Sequence, residues 1–139
     1  MITKAASVIP DELTTEEWRG LLTARPNTLL MGPAAATGRV IEALLPRLEP
    51  PVCRCDAACL SLPATAEGTL ILDNVAALSG DAQQRLLDWL LEPGRSTQVV
   101  TTAGSAVFPH VTDGAFLDML YYRLNVMSFT IGAGVRRSA

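Results

Sequence analysis

The sequence is almost without lysine, and it lacks long apolar runs and any excess of positive charge. Lys4 is its only lysine, although lysine and arginine together number 11. Because phosphate-binding loops usually carry a lysine, this scarcity counts against a working nucleoside triphosphatase. No stretch approaches the roughly 20 apolar residues of a membrane-spanning helix, and the N-terminus has no apolar signal core. We therefore expect no contact with a membrane.

Histidine and cysteine are also scarce. His110 is the only histidine, and it lies far along the chain from Cys53, Cys55 and Cys59. An odd number of closely spaced cysteines argues against a disulfide framework and for a reducing, cytoplasmic setting. A structural zinc site needs four ligands. We therefore predict no metal site and interpret the cysteines as buried structural thiols.

The composition indicates one globular domain. The 139 residues are 49% hydrophobic and 18% charged, with a formal net charge of -3. This length suits a single domain, and an acidic chain is poorly suited to direct binding of DNA. We assign residues 1–131 to the domain and expect residues 132–139 to form a flexible tail, since they are small and polar.

Short apolar runs alternate with amphipathic segments, which predicts a parallel sheet covered by helices on both faces. Ligands of such sheets bind at the carboxyl ends of the strands. Gly32 follows the first strand there and Asp73 ends the third. The predicted strands are Thr28–Met31, Val52–Cys55, Thr69–Leu72, Thr97–Thr102 and Val126–Ile131.

The segments around these strands have helical spacing. Thr14 begins the first helix as part of a capping pattern, and Pro46 is expected to shorten the second. Ser79 caps the third, and a fourth is predicted to begin at Asp113. The buried stripe of this fourth helix is predicted to contain Phe116, Leu117, Leu120, Tyr121 and Leu124.

The segment after the first strand has the position of a phosphate-binding loop. Gly32, Thr37, Gly38 and Arg39 are its candidate binding residues. A working loop needs glycines, then a lysine, then Ser or Thr to reach magnesium. Here arginine replaces the lysine, and Val40 has no oxygen for a metal. Two interpretations stay open, a weak site for ATP or ADP and an ordinary strand-to-helix turn.

Asp73 is the candidate metal-holding acid at the end of the third strand. Nucleoside triphosphatases of this type also need a carboxylate that polarises the attacking water. The next residue is Asn74, which cannot act as a general base. Asp73 either holds a metal or caps a turn, and without a good phosphate site we favour the cap.

Three segments carry a specific family resemblance. They are Pro51–Leu60, Gly68–Val75 with the helix that follows it, and Phe116–Val126. They resemble, in turn, the second strand PFVAVNCAAL, the Walker B strand and the FREDLYYRLNV segment of the sigma-54 interaction domain. That domain is the AAA+ ATPase core of bacterial enhancer-binding transcription activators. The resemblance extends over roughly Thr28–Ile131.

The resemblance implies a three-layer α/β fold of the P-loop NTPase type, with a five-stranded parallel sheet in the order 5-1-4-3-2. The helical lid and the DNA-binding helix-turn-helix of the family have no counterpart in this sequence. The family's GAFTGA insert, which touches the sigma factor, would fall between Leu60 and Gly68. Only Ser61–Glu67 lies there, and these residues do not spell it.

The resemblance also implies which functional positions have changed. The Walker A lysine falls on Arg39, the catalytic glutamate on Asn74 and the sensor asparagine on Gly104. Of the two arginines that act across the subunit boundary, one falls on Leu117 and only Arg123 is present. Arg123 therefore either faces a neighbouring subunit or interacts with the C-terminus of its own helix.

Loss of a water-polarising group or of a transition-state arginine typically lowers a rate by orders of magnitude. Each loss could be tolerated alone, but together they leave no plausible hydrolysis, so we expect no enzymatic activity. The leading hypothesis is a degenerate, non-catalytic regulatory or adaptor protein that acts through protein contacts, either with an AAA+ relative or with itself. One alternative is a nucleotide sensor that binds weakly without hydrolysis. Others are a residual ATPase and a decayed fragment without function.

Overall fold

The computed structural model describes residue 10 and residues 12–132. Of the predicted tail, residues 133–139 lie outside the described residues. The strands are β1 (Thr28–Met31), β2 (Val52–Asp56), β3 (Thr69–Asp73), β4 (Gln98–Ala103) and β5 (Met127–Thr130). The helices are α1 (Thr15–Ala24), α2 (Ala34–Leu44), α3 (Gly80–Leu90), α4 (Phe108–Thr112) and α5 (Asp118–Leu124).

All neighbouring strands are parallel, and their order across the sheet is β2-β3-β4-β1-β5. This confirms the predicted order 5-1-4-3-2. Each predicted strand differs from the observed one by no more than one residue at either end. Within the described part of the chain, no helix is both long and apolar enough to cross a bilayer.

Helices cover both faces of the sheet, because successive strand residues point to opposite sides. Leu30 and Leu29 show this alternation, since they belong to different cores. One core joins the sheet to α1 and α2 and includes Trp18, Leu21, Leu30, Val40, Ile41, Leu44, Ile71 and Val100. The other joins it to α3 and α5 and includes Leu29, Leu70, Leu72, Leu86, Leu87, Val99, Leu120 and Leu124.

Two local signals act as the sequence predicts. The Thr14 hydroxyl accepts from the Glu17 amide at 3.1 Å, and the Thr14 amide donates to the Glu17 carboxylate at 2.7 Å. This reciprocal pair satisfies backbone donors at the start of α1. Pro46 shortens α2, which ends at Leu44 and continues only as a 3₁₀ turn over Leu45–Arg47.

The prediction for the last helix is wrong at its start. Asp113 ends the short α4, which the sequence did not predict, and α5 begins only at Asp118. Gly114, at φ +88°, interrupts the helical conformation between α4 and α5. Gln83 then holds this connection, because its side chain accepts from the Leu117 amide at 2.8 Å. Leu117 is therefore exposed before the helix rather than part of its buried stripe.

Candidate functional site

A cleft of about 440 Å³ opens at the carboxyl ends of the strands, where the sequence placed the candidate site. The predicted residues Gly32, Thr37, Gly38 and Asp73 all line it. Arg39 is not among its lining residues. The fold therefore brings together the predicted site except for the residue at the lysine position.

The segment expected to wrap phosphate is mostly helix. Only Gly32 and Pro33 separate β1 from α2, which begins at Ala34. Thr37 and Gly38 therefore lie inside α2, and the amide of Thr37 donates to the Pro33 carbonyl at 3.0 Å. An amide committed to the helix is not available to phosphate. The backbone here forms a strand-to-helix turn, and the weak site for ATP or ADP stays a prediction.

Local sequence explains why the helix begins so early. Alanine has the highest helix propensity of all residues, and alanines occupy positions 34–36. Pro33 precedes them at φ -58°, which a proline ring already favours and which suits a helix start. The alanines that fill the motif therefore replace its loop with a first helical turn.

Gly32 is required by strand packing. Its φ is +151°, and a Cβ there would lie 2.1 Å from the carbonyl oxygen of Ile131. The Ile131 amide donates to the Met31 carbonyl at 2.7 Å, which holds β5 close to this point. At Gly38, by contrast, an added Cβ would meet nothing within 4 Å. The two glycines of the motif therefore have different structural roles.

The polar side chains of the motif are engaged elsewhere. Arg39 Nε donates to the carboxylate of Glu12 at 2.6 Å, and the Glu12 side chain is only 8% exposed. The Thr37 hydroxyl donates to the Ala34 carbonyl at 3.3 Å within α2. Neither side chain is therefore directed to a ligand in the cleft.

Asp73 is held by a residue that the sequence analysis did not single out. Arg54 on β2 donates to both of its carboxylate oxygens, from Nε at 2.7 Å and from Nη2 at 3.2 Å. The hydroxyl of Thr102 lies 3.2 Å from one of the same oxygens. The hydrogen bond to Asp73 raises the pKa of the Arg54 guanidinium above its usual value. Asp73 is thus part of an ion pair, and the favoured prediction that it caps a turn is wrong.

Asn74 stands where the resemblance implies a catalytic carboxylate, and it also has an unusual backbone conformation. Its φ and ψ are 62° and 51°, in the left-handed region that asparagine tolerates better than most residues. Its amide donates to the Thr102 hydroxyl at 3.0 Å. Because an amide side chain cannot take up a proton as a general base, the end of β3 has no group at this position that could activate water.

These residues do not fit a magnesium–nucleotide complex. The one acid at the metal-holding position is paired with a guanidinium, and Val40 is buried and has no oxygen to offer. The segment that would wrap the phosphates is helix. We therefore derive no catalytic step through a metal or a nucleotide.

A sequence signal for Arg54 existed. In the family segment that Pro51–Leu60 resembles, alanine stands where this chain has Arg54. A charged residue on a strand beside the candidate acid could have suggested a partner for it. The pairing itself depends on strand register, because Arg54 lies opposite Ile71 and reaches Asp73 diagonally.

The cysteines do not form a cluster of buried thiols. Cys53 and Cys55 are partly buried against the core beneath α3, but Cys59 is exposed, so the prediction is wrong for Cys59. Among residue 10 and residues 12–132, no group of three His, Cys, Asp or Glu side chains is placed to share a metal.

The segment at the position of the family's insert is short and tied down. The Trp89 indole N–H donates to the Pro63 carbonyl at 2.9 Å, and Arg95 Nη1 donates to the Thr65 carbonyl at 2.7 Å. The Arg95 guanidinium also stacks over Trp89, 3.9 Å from the ring centroid. These contacts hold Ser61–Glu67 against α3 and leave no projecting loop there.

Arg123 lies in the last turn of α5 and is exposed. Its carbonyl accepts from the Asn27 side chain at 3.0 Å. Both suggested roles of its guanidinium, at a subunit boundary or at the end of its own helix, stay predictions.

Comparison with known proteins identifies the fold. The family model described as the sigma-54 interaction domain matches residues 45–133. No curated protein matches the chain significantly. Among solved structures, NtrX from Brucella abortus in complex with ATP has a TM-score of 0.68 at 18% identity, over 85% of this chain and 34% of that chain.

Two further structures agree with this result. NtrX from Brucella abortus in complex with ADP has a TM-score of 0.67 at 19% identity, over 85% of this chain and 36% of its own. The P-loop NTPase domain of a sigma-54 transport activator from E. coli has a TM-score of 0.55 at 15% identity, over 88% of this chain and 100% of its own. The chain thus spans about a third of the length of the NtrX chains that it resembles.

Proposed function

This chain belongs to the sigma-54 interaction domain family, and we propose that it is a non-catalytic regulatory or adaptor protein that acts in the cytoplasm through protein contacts. The observation that carries this proposal is the start of α2 at Ala34, immediately after Gly32 and Pro33. The helix begins where a loop would wrap phosphate, and this supports the absence of a nucleoside triphosphate positioned for hydrolysis.

The rest of the cleft supports loss of catalysis. Hydrolysis depends on charge stabilisation at the phosphates and on a group that orients water, and each contributes orders of magnitude in rate. Here Arg39 pairs with Glu12, and Asn74 stands at the position of the water-polarising carboxylate. The lack of these contributions supports a protein that does not hydrolyse nucleotide.

Exposed apolar side chains around α4 and α5 support a role in protein contact. We call Phe108, Leu117, Met119, Tyr122 and Val126 the apolar surface. Tyr122 is 61% exposed and Val126 is 65% exposed. The Tyr121 ring contacts both Phe108 and Tyr122, with centroids 5.6 and 5.2 Å apart. Clusters of exposed apolar groups commonly mark interaction sites.

A paired experiment tests the contact role. The wild-type chain, Met119→Glu and the control Leu91→Glu would be used to capture partners from the native cell, and each would be sedimented alone. Leu91 is also exposed and apolar, but it lies at the end of α3. We expect an AAA+ relative, or a second copy of the chain, to associate with the wild type and the control but not with Met119→Glu. Equal behaviour of all three proteins contradicts the proposal.

The second candidate function is a nucleotide sensor without hydrolysis. The volume of the cleft, about 440 Å³, favours it, since ligand pockets typically occupy roughly 300–1,000 Å³. The NtrX structures contain ATP and ADP. Calorimetric titration of this chain with each nucleotide, with and without magnesium, separates the two candidates. Saturable heat supports the sensor, whereas no heat at millimolar nucleotide supports the adaptor.

A further inference from the structure

The ion pair beside the cleft joins diagonal positions on neighbouring strands. Arg54 lies opposite Ile71 in the parallel register, and Asp73 lies opposite Asp56. The Arg54 side chain must therefore extend diagonally towards the carboxyl end of the sheet. The long arginine side chain spans this diagonal, since its Nε lies 2.7 Å from an Asp73 carboxylate oxygen. The guanidinium is thereby delivered to the part of the cleft that contains both acids.

Arg54 engages the whole carboxylate of Asp73. Nε binds one oxygen and Nη2 the other, and Thr102 contacts the second of these oxygens as well. Bidentate pairs of this kind fix geometry better than single contacts do. A divalent cation would need the same oxygens, since carboxylates are preferred ligands of hard cations.

The charges near Asp73 change sharply if Arg54 is removed. Asp56 and Asp73 both line the cleft, and their Cα atoms are register partners. With Arg54 present, one of these two negative charges is balanced by a positive one. Without it, two carboxylates would face the same space, and cation affinity rises with the number of charged ligands.

We propose that the Arg54 guanidinium occupies the place of a divalent cation beside Asp73, so that this cleft excludes metal ions. Arg54 is then a specificity-determining residue, because any ligand of the cleft must bind without magnesium. This inference rests on the proposed loss of catalysis, but it concerns the cleft alone and does not require a protein partner.

Binding of MnCl₂ in the absence of nucleotide tests the proposal directly. Water-proton relaxation would be measured for the wild type, Arg54→Gln, Arg54→Lys and the control Arg85→Gln. Arg85 is exposed on α3, so its substitution removes the same charge outside the cleft. We expect Arg54→Gln to bind Mn²⁺ about tenfold more tightly than the others, which is a change of about 1.4 kcal/mol.

A second substitution tests whether any Mn²⁺ site gained by Arg54→Gln includes Asp73. Arg54→Gln combined with Asp73→Asn should return Mn²⁺ binding to the wild-type level, since the carboxylate that accepts the metal is gone. The proposal is overturned if wild type binds Mn²⁺ as tightly as Arg54→Gln. It is equally overturned if Arg85→Gln gains as much, or if the double variant keeps the gain.

One measurement on the wild type avoids any question of variant folding. The Arg54 Nε–H resonance should keep its shift as MgCl₂ is added, because the ion pair persists. Displacement of this resonance by Mg²⁺ overturns the proposal. The partner and nucleotide experiments use neither Mn²⁺ alone nor these variants. Their failure would therefore count against the proposed function without deciding the role of Arg54.

Discussion

The amino and carboxyl ends of the parallel strands are stabilised by different chemistry. At the amino ends, Asn27 accepts from the Val99 amide at 2.8 Å and donates to the Arg123 carbonyl at 3.0 Å. Its own carbonyl accepts from the Met127 amide at 3.1 Å. At the carboxyl ends, the comparable connection is the ion pair of Arg54 with Asp73.

This difference shows that polar groups at the two ends of one sheet can be satisfied in different ways. Neutral side chains that bond to backbone, such as that of Asn27, need no ligand to be satisfied. The Asn27 side chain joins β4 to α5, and its main-chain carbonyl bonds to β5. A charged site needs a compensating charge, although solvent keeps the cost of an unpaired charge small where the side chains are partly exposed. Arg54 and Asp73 supply that compensation from within the chain. The carboxyl end therefore contains its own balancing charge beside Asp73.

The largest effect on stability is expected at Gly32, at the carboxyl end of β1, where the chain packs closely against Ile131. Gly32→Ala should lower the free energy of unfolding by about 3 kcal/mol or more, because the new Cβ would collide with backbone at a left-handed φ. Its clash is with the Ile131 carbonyl, 2.1 Å away. Urea unfolding followed by circular dichroism measures the change.

Gly104→Ala is the matched control for this prediction. Gly104 also lines the cleft, but a Cβ there would meet nothing within 4 Å. Its substitution should change stability by less than about 0.5 kcal/mol. Equal effects at Gly32 and Gly104 would contradict the view that Gly32 serves strand packing.

The second prediction concerns a substitution at the amino ends of the strands. Asn27→Ala removes a side chain that satisfies the Val99 amide and the Arg123 carbonyl. The expected loss is about 1–2 kcal/mol, because the amide of the buried Val99 is left unpaired, whereas the Arg123 carbonyl is exposed and can bond to water. The urea midpoint should fall with an unchanged m-value. Asn27→Asp separates the roles, because it keeps the acceptor for Val99 and loses the donor to Arg123.

The third prediction concerns the ion pair at the carboxyl end. Arg54→Gln should cost no more than about 1 kcal/mol, because partly exposed pairs contribute little to stability. The side chains of Arg54 and Asp73 are 44% and 29% exposed. A double-mutant cycle with Asp73→Asn measures the coupling. A coupling larger than the loss at Asn27 would invert the comparison between the two ends.

Much of the framework could be predicted because its signals are local. The capping pattern at Thr14 and the break at Pro46 each act within one helical turn. The short apolar strands stand out against their polar neighbours, and the family resemblance supplied their order. These signals depend on residues close together in sequence, so a single sequence is sufficient to detect them.

The site was harder to predict, because its residues act across strands or compete between local preferences. The spacing from Gly32 to Arg39 suggested a loop, but the helix propensity of the alanines prevails. Arg54 meets Asp73 only through the register of β2 with β3. The start of α5 depends on Gln83, which is far away in sequence. The sequence therefore predicted where the segment from Gly32 to Arg39 lies, but not that most of it is helical.

The smallest predicted effect separates a helix from a phosphate loop at the carboxyl end. Gly38 lies inside α2, and a Cβ there meets nothing within 4 Å. Gly38→Ala should therefore stabilise the protein by about 0.5 kcal/mol, because glycine within a helix is less favourable than alanine. Thermal unfolding and urea unfolding should both shift upwards. If the segment instead opens into a loop that binds nucleotide, the same substitution would lower stability and abolish the heat of ATP binding. A gain in stability without any change in the titration indicates that Gly38 has a structural role, like Asn27, and no role in binding a ligand.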